Sequence, residues 1–222
     1  MELSELKNQF VREEHGISAE YGKVFSFIDF SNVNKWFDRD NQDWDNRLIA
    51  KDEKIAIDIE KLKSFCSIFS ERTRIYYGED PRNSGSLNFT NVLRIIFDGK
   101  NVITKDLQKI KHYLSADDQN KFKKYSKTDC DGKEYVEIRK CNFDVEISVD
   151  ALKMIQHYDS FCLFSGDADF VYLNNFLKRK GKKIIIIKGG YITTKLKGSA
   201  DLVINAQNIK RHIARVEKQK PD

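Results

Sequence analysis

Phe161-Cys162-Leu163-Phe164, then Ser165-Gly166-Asp167-Ala168-Asp169-Phe170, then Val171-Tyr172-Leu173-Asn174-Asn175-Phe176-Leu177 is the stretch that decides the fold. The first run is wholly apolar and reads as a buried strand; the last reads as a helix. Asp167 and Asp169 therefore stand at the carboxyl lip of a strand, which is where open α/β sheets bind their ligands. A second apolar run, Val24-Phe25-Ser26-Phe27-Ile28, ends on a third acid, Asp29. Acidic residues at two strand ends point to a divalent cation, because hard cations take several oxygen ligands.

Working outward, residues 1–20 are polar with scattered apolar positions and read as an N-terminal helix or arm. Ser31-Asn32-Val33-Asn34 opens a short helix after the first strand, with Trp36 and Phe37 on its buried side. Ile55, Ile59, Leu62, Cys66 and Phe69 recur at helical spacing, which predicts one long helix over about 47–70. A strand follows at 73–78. Residues 79–139 read as an insertion that covers one side of the sheet and offers a surface to a protein partner or a second copy of the chain. Within it, Leu107, Ile110, Lys111 and Leu114 suggest a helix, Phe122-Lys123-Lys124-Tyr125 is basic and aromatic, and Cys130-Asp131-Gly132-Lys133 is a hairpin turn before a strand at 134–139. From 140 to 152 two readings stand. Phe143, Val145, Ile147 and Val149 alternate like a strand, while Ser148 suits the N-cap of a helix from Val149 to Tyr158. The helix at 171–179 stops at Gly181. Strands follow at 183–187 and 202–204, and Ile209, Ile213 and Val216 line a closing basic helix within 207–222. Strands alternating with helices predict an α/β fold, a three-layer α/β/α sandwich with a mainly parallel central sheet.

At 222 residues, 40% hydrophobic and 33% charged, the chain has the composition of a globular domain with a full core. No apolar stretch approaches the ~20 residues that span a bilayer, and the first residues lack the pattern of a secretory signal, so a cytoplasmic protein is expected. Cys66, Cys130, Cys141 and Cys162 show no Cys-x-x-Cys spacing. His15, His112, His157 and His212 form no ligand pairs in the sequence, so no zinc site is expected. Charge is uneven. Residues 178–220 hold 13 Lys or Arg against Asp201 and Glu217, whereas residues 1–177 hold 26 basic and 31 acidic residues. Charge alone fits a solvated basic tail as well as a footprint for a phosphate backbone.

Two further acids, Asp144 and Asp150, flank the ambiguous segment near 148. One Asp after a strand usually caps a helix or a turn. Several at strand tips and one helix start are costly, because clustered carboxylates raise one another's pKa. A bound Mg²⁺ or Mn²⁺ removes that cost and suits phosphodiester hydrolysis. Asn32 is placed either to bind substrate or to cap a helix. Other chemistries fit less well. A haloacid-dehalogenase site needs an Asp where Ser31 stands, a Toprim site needs a Glu where Asp29 stands, and the segment after the first strand has no glycine for a dinucleotide loop. There is no P-loop, and no nucleophile elbow carries a serine.

Phe27-Ile28-Asp29-Phe30-Ser31-Asn32, Tyr76-Tyr77-Gly78, Lys140 through Leu152, Ser165 through Phe170 and Ser199-Ala200-Asp201 resemble, in order, the motifs of the NYN domain family (LabA-like), a branch of the PIN-like nuclease superfamily. The resemblance covers about residues 22–205. It departs at Cys141-Asn142-Phe143, where the family has Gly-Val, and at Ala168, where Ser is common. It implies a PIN-like sandwich over 21–206 and a Mg²⁺- or Mn²⁺-dependent endoribonuclease. Asp29, Asp150 and Asp167 are then expected to hold the metal, Asp144 and Asp169 to hold a second ion or orient water, and Asn32 to position RNA. Lys178, Arg179, Lys182, Lys183, Lys195, Lys197, Lys210, Arg211 and Arg215 are expected to contact phosphates. The alternative is a non-catalytic RNA-binding or regulatory adaptor of the same fold.

Overall fold

The computed structural model describes residues 3–115 and 126–219, and the basic aromatic stretch Phe122–Tyr125 lies outside the described residues. The strands are β1 Val24–Asp29, β2 Glu53–Ile57, β3 Ser70–Glu79, β4 Val102–Asp106, β5 Gln108–Tyr113, β6 Lys127–Thr128, β7 Glu134–Lys140, β8 Ser160–Phe164, β9 Lys183–Lys188, β10 Leu202–Asn205 and β11 Ala214–Lys218. The helices are α1 Leu3–Glu14, α2 Phe30–Val33, α3 Ile59–Ser67, α4 Ser84–Phe97, α5 Asp144–Lys153, α6 Val171–Arg179, α7 Thr194–Gly198 and α8 Ala206–Ile213.

Six strands form one sheet in the order β10-β9-β8-β1-β3-β4, and every pairing in it is parallel. β1 is central and all of its residues are buried. Both faces of the sheet are covered, so the inner strands are apolar on both sides rather than alternating with polar residues. Val24, Ile28, Cys162, Phe164, Ile185 and Ile187 face one core, built with α3, α4 and α8. Phe25, Phe27, Phe161, Leu163, Ile184 and Ile186 face the other, built with α5, α6 and α7. These are the three layers expected from the sequence. Burial pushes the Cys66 thiol up to about 12, so this cysteine acts as a packing group.

Several local expectations are corrected. The long helix over 47–70 is a strand, β2, followed by the shorter α3. Ile55 and Ile57 point the same way with period two, and β2 pairs antiparallel with β11. Asp58 ends the strand and caps α3 by accepting the Lys61 N–H at 3.0 Å. Ile55 and Ile59 fit a helical step as well as a strand followed by a helix start, which is why the sequence pattern misled. Val216 likewise belongs to β11, not to the closing helix. The expected helix through Leu107, Ile110, Lys111 and Leu114 is instead β5, Gln108–Tyr113, in a small antiparallel sheet, β5-β7-β6, with Ile110 opposite Ile138. The rest of the supposed insertion is divided: α4 and β4 belong to the main sandwich, and only β5 to β7 stand apart. The hairpin turn at 130–133 is present, with Gly132 at φ +76°. The ambiguous segment after residue 140 is helical, and α5 begins at Asp144, so Ser148 lies inside it.

One close approach locks the top of the sheet. A Cβ on Gly189 would meet Trp36 Cδ1 and Cγ at 2.6 Å. Trp36 stacks on Phe164 with rings 9° from parallel and is itself nearly buried. We expect Gly189→Ala to destabilise the protein by about 1–3 kcal/mol, the range for overpacking a filled site. Chemical denaturation followed by tryptophan fluorescence measures this, and an unchanged midpoint contradicts it.

Candidate active site

The chain leaves β1 towards β3 on one side and later returns to β8 on the other. The strand order therefore reverses between β1 and β8, and the two crossovers depart in opposite directions. A crevice must open above the carboxyl ends of these two strands. Asp29 closes β1, and Ser165-Gly166-Asp167 follows β8 directly. The sequence places its acids at the one point of the sheet that topology leaves uncovered.

The lip is cross-linked by hydrogen bonds. Ser31 Oγ donates to Asp29 Oδ1 at 2.6 Å, and Ser165 Oγ reaches Asp29 Oδ2 at 3.5 Å. The Asp167 backbone N–H donates to Ser165 Oγ at 3.2 Å. Asn32 Oδ1 accepts from Gly166 N–H at 3.3 Å and from Trp36 Nε1 at 3.0 Å. Asn32 thus fastens the α2 turn to the loop that carries Asp167. Asp167 Oδ1 in turn accepts the Asp169 N–H at 3.0 Å and sets the 168–170 turn before α6.

α5 brings a further acid from the other side of the opening. Asp144 is its first residue, and its N–H donates to Asn142 Oδ1 at 2.8 Å. One carboxylate oxygen each from Asp144, Asp167 and Asp169 lies within 4.8 Å of the others. Asp29 lines the same cleft, whose volume is about 940 Å³. Burial raises the pKa of Asp29, and the Asp167 carboxylate adds to the rise. Burial also raises Asp144, with Asp167, Asp169 and Asp29 contributing. Oxygen donors alone, crowded and partly desolvated, are the ligand set that Mg²⁺ or Mn²⁺ takes.

Asp150 is not part of this group. Its carboxylate accepts from Tyr76 Oη at 2.8 Å and pairs with Arg74 Nη1 at 3.1 Å. Six residues along a helix carry it about 9 Å down the axis and about 120° around from Asp144. Asp150 fastens α5 to β3, and burial together with this neighbouring carboxylate pushes the Tyr76 phenol far above its ordinary value. Of the expected residues, the structure brings Asp144, Asp167 and Asp169 together with Asp29 lining the same cleft, and it sets Asp150 apart on Tyr76 and Arg74.

None of the nine expected phosphate-binding residues lines the cleft, although Lys210 pairs with Asp40 in its wall. Lys178 pairs with Asp201 at 2.9 Å, Lys183 with Glu20 at 2.8 Å, and Lys210 with Asp40 at 2.7 Å. Arg211 pairs with Asp45, and Arg215 with Glu217 at 2.8 Å. Lys182 Nζ donates to the Tyr158 carbonyl at 2.6 Å. Arg179, Lys182 and Lys183 surround the entry to β9, at the amino end of the sheet and opposite the acids. Lys195 and Lys197 are exposed on α7 without lining the cleft. Among the described residues, the basic side chains that line the cleft are Lys35, Arg39 and Lys140, all exposed. The sequence carried a faint signal for them. Lys35 and Arg39 stand three and seven residues after Asn32, and Lys140 opens the family-like segment that holds Asp144.

Residues 23–207 match the family model described as "NYN domain". An 84-residue stretch is 31% identical to the "Low amplitude and bright protein LabA" of Synechococcus elongatus, covering 37% of this chain and 45% of that protein. The match thus spans less than half the length of that curated relative. The crystal structure of a protein of unknown function from Vibrio parahaemolyticus superposes with a TM-score of 0.54 at 18% identity, over 89% of this chain and 99% of that one. At that identity the likeness is one of fold.

The raised pKa of Asp29 makes its charge a cost to the folded state without metal. That cost is complete above its folded pKa and disappears as the pH falls below its ordinary value of 3.8. Asp29→Asn is therefore expected to melt above the parent at pH 7 in chelator, with the gap closing towards pH 3. A variant that melts lower at pH 7 contradicts this electrostatic assignment.

Proposed function

The chain belongs to the NYN domain family, and from that premise we propose that it is a metal-dependent ribonuclease with Asp144, Asp167 and Asp169 as the cation ligands. The observation that carries this reading is the meeting of those three carboxylates beside Asp29 at the sheet's switch point. Mg²⁺ or Mn²⁺, when bound, supplies Lewis acidity at the scissile phosphate and makes an attacking water more acidic. The protein's own groups do the rest. Asp29 adds a fourth negative carboxylate behind the trio. Asn32 acts as a positioning residue, since its side chain holds the Gly166 backbone and hence the loop of Asp167. Lys35, Arg39 and Lys140 stand around the same opening and suit the phosphates of an RNA strand laid across it.

Cleavage of a labelled RNA panel in Mn²⁺, Mg²⁺ or chelator tests this. Asp167→Asn is expected to lower the rate on the order of 100-fold or more. Asp150→Asn is expected to keep the rate within about threefold while lowering thermal stability, because it breaks the Arg74 and Tyr76 contacts. RNA binding without metal-dependent cleavage favours the adaptor reading and overturns this one. Removing Lys35 and Arg39 together is expected to weaken RNA binding and to reduce its salt dependence by about two counterions. The same removal on Lys182 and Lys183 is expected to leave that slope unchanged.

A further inference from the structure

Glu14, His15 and His212 meet on the face of the molecule built by α1, α3 and α8, away from the acidic cleft. One ligand atom from each lies within 4.8 Å of the others. All three lie outside the 23–207 span that matches the NYN domain. No pair is visible along the chain, because almost its whole length separates the two histidines.

Two observations point to a ligand there. His15 is only 7% exposed, yet its Nε2 is buried without a hydrogen-bond partner. Leaving such a nitrogen unsatisfied costs stability, and a coordinate bond to it would remove that cost. The rings are also held in place: His15 and His212 meet edge to face at 6.0 Å, and each packs on Phe65 at 5.9 Å. Glu14 closes α1, and His212 stands in the last turn of α8. Both helices thus bring their negative carbonyl ends towards this point, which favours a cation. His212 borders a groove of about 510 Å³ with Asn8, Ser64 and Phe65, which gives water and an ion a way in.

We propose that Glu14, His15 and His212 form a site for a borderline transition cation of the Zn²⁺ class, with water as fourth ligand, that ties α1 to α8. Two imidazoles and one carboxylate are a common zinc set, whereas Mg²⁺ prefers oxygen alone. Tetrahedral bond lengths set donors roughly 3.3 Å apart, so the three must draw together by up to about 1.5 Å. That movement is a small adjustment of three side chains at the ends of two helices. The ion would clasp the two flanking segments that bracket the domain.

The test uses the full chain carrying Asp144→Asn and Asp167→Asn, so that the acidic cleft is silenced and its failure cannot be mistaken for failure here. After chelator treatment, ZnCl₂ is titrated calorimetrically, melting is followed, and CoCl₂ is added to read the visible absorption of a tetrahedral ion. The proposal expects one equivalent of Zn²⁺, a higher melting temperature and the tetrahedral cobalt spectrum. His212→Gln and Glu14→Gln, both at accessible positions, are each expected to weaken Zn²⁺ binding by about 100-fold or more and to remove the melting shift. Folding of these variants is checked by their melting in chelator. Absence of binding in the parent, or equal Zn²⁺ affinity in parent and both folded variants, overturns the proposal.

Discussion

The reversal of strand order between β1 and β8 is the constraint on which the rest depends. On either side of this point successive strands step in one direction along the sheet, β1-β3-β4 one way and β8-β9-β10 the other. Between β1 and β8 the chain departs both ways, and a cleft opens at the carboxyl edge. Asp29 and the loop after Phe164 are placed side by side as a result, although 136 residues separate Ser165 from Asp29. The hydrogen bonds through Ser31, Ser165 and Asn32 then hold that edge still, so the acids present a fixed geometry to whatever enters.

The two aspartates of α5 sit in opposite environments. Asp150 has a tyrosine hydroxyl and a guanidinium against it, so its charge is compensated inside the fold. Asp144 faces three other carboxylates, which together with burial raise its pKa. Crowded carboxylates of this kind cost the fold stability despite the hydrogen bond between Asp144 and Asn142, and a divalent cation is the partner that would offset that cost. No helix among the described residues is long and apolar enough to cross a membrane, and the cleft opens to water.

Much of this was legible in the sequence, for identifiable reasons. Phe161–Phe164 and the Ile184–Ile187 run are apolar on both faces, a pattern that only a covered parallel strand requires, and both are strands of the central sheet. Asp29, Asp167 and Asp169 were visible because they follow such runs immediately. Asp150 was misplaced because spacing along the chain does not reveal which way a helix turns its side chains once its start is uncertain. Ser148 as N-cap suggested a start at Val149, five residues after the actual start at Asp144. The basic flank misled for a different reason. Lys178, Lys183, Lys210 and Arg211 are dense in sequence, but their partners Asp201, Glu20, Asp40 and Asp45 come mostly from distant segments, and only the fold shows that these charges are already matched. The meeting of His15 with His212 was invisible for the same reason, since it joins α1 to the end of α8.

Diffraction from crystals soaked in MnCl₂, with anomalous differences collected for manganese, tests the central claim most directly. The account predicts a peak bonded at about 2.1–2.2 Å to carboxylate oxygens of Asp144, Asp167 and Asp169, with Asp150 still on Tyr76 and Arg74. Crystals that soak fully yet show no manganese among those three carboxylates, or show it on Asp150, would contradict the account.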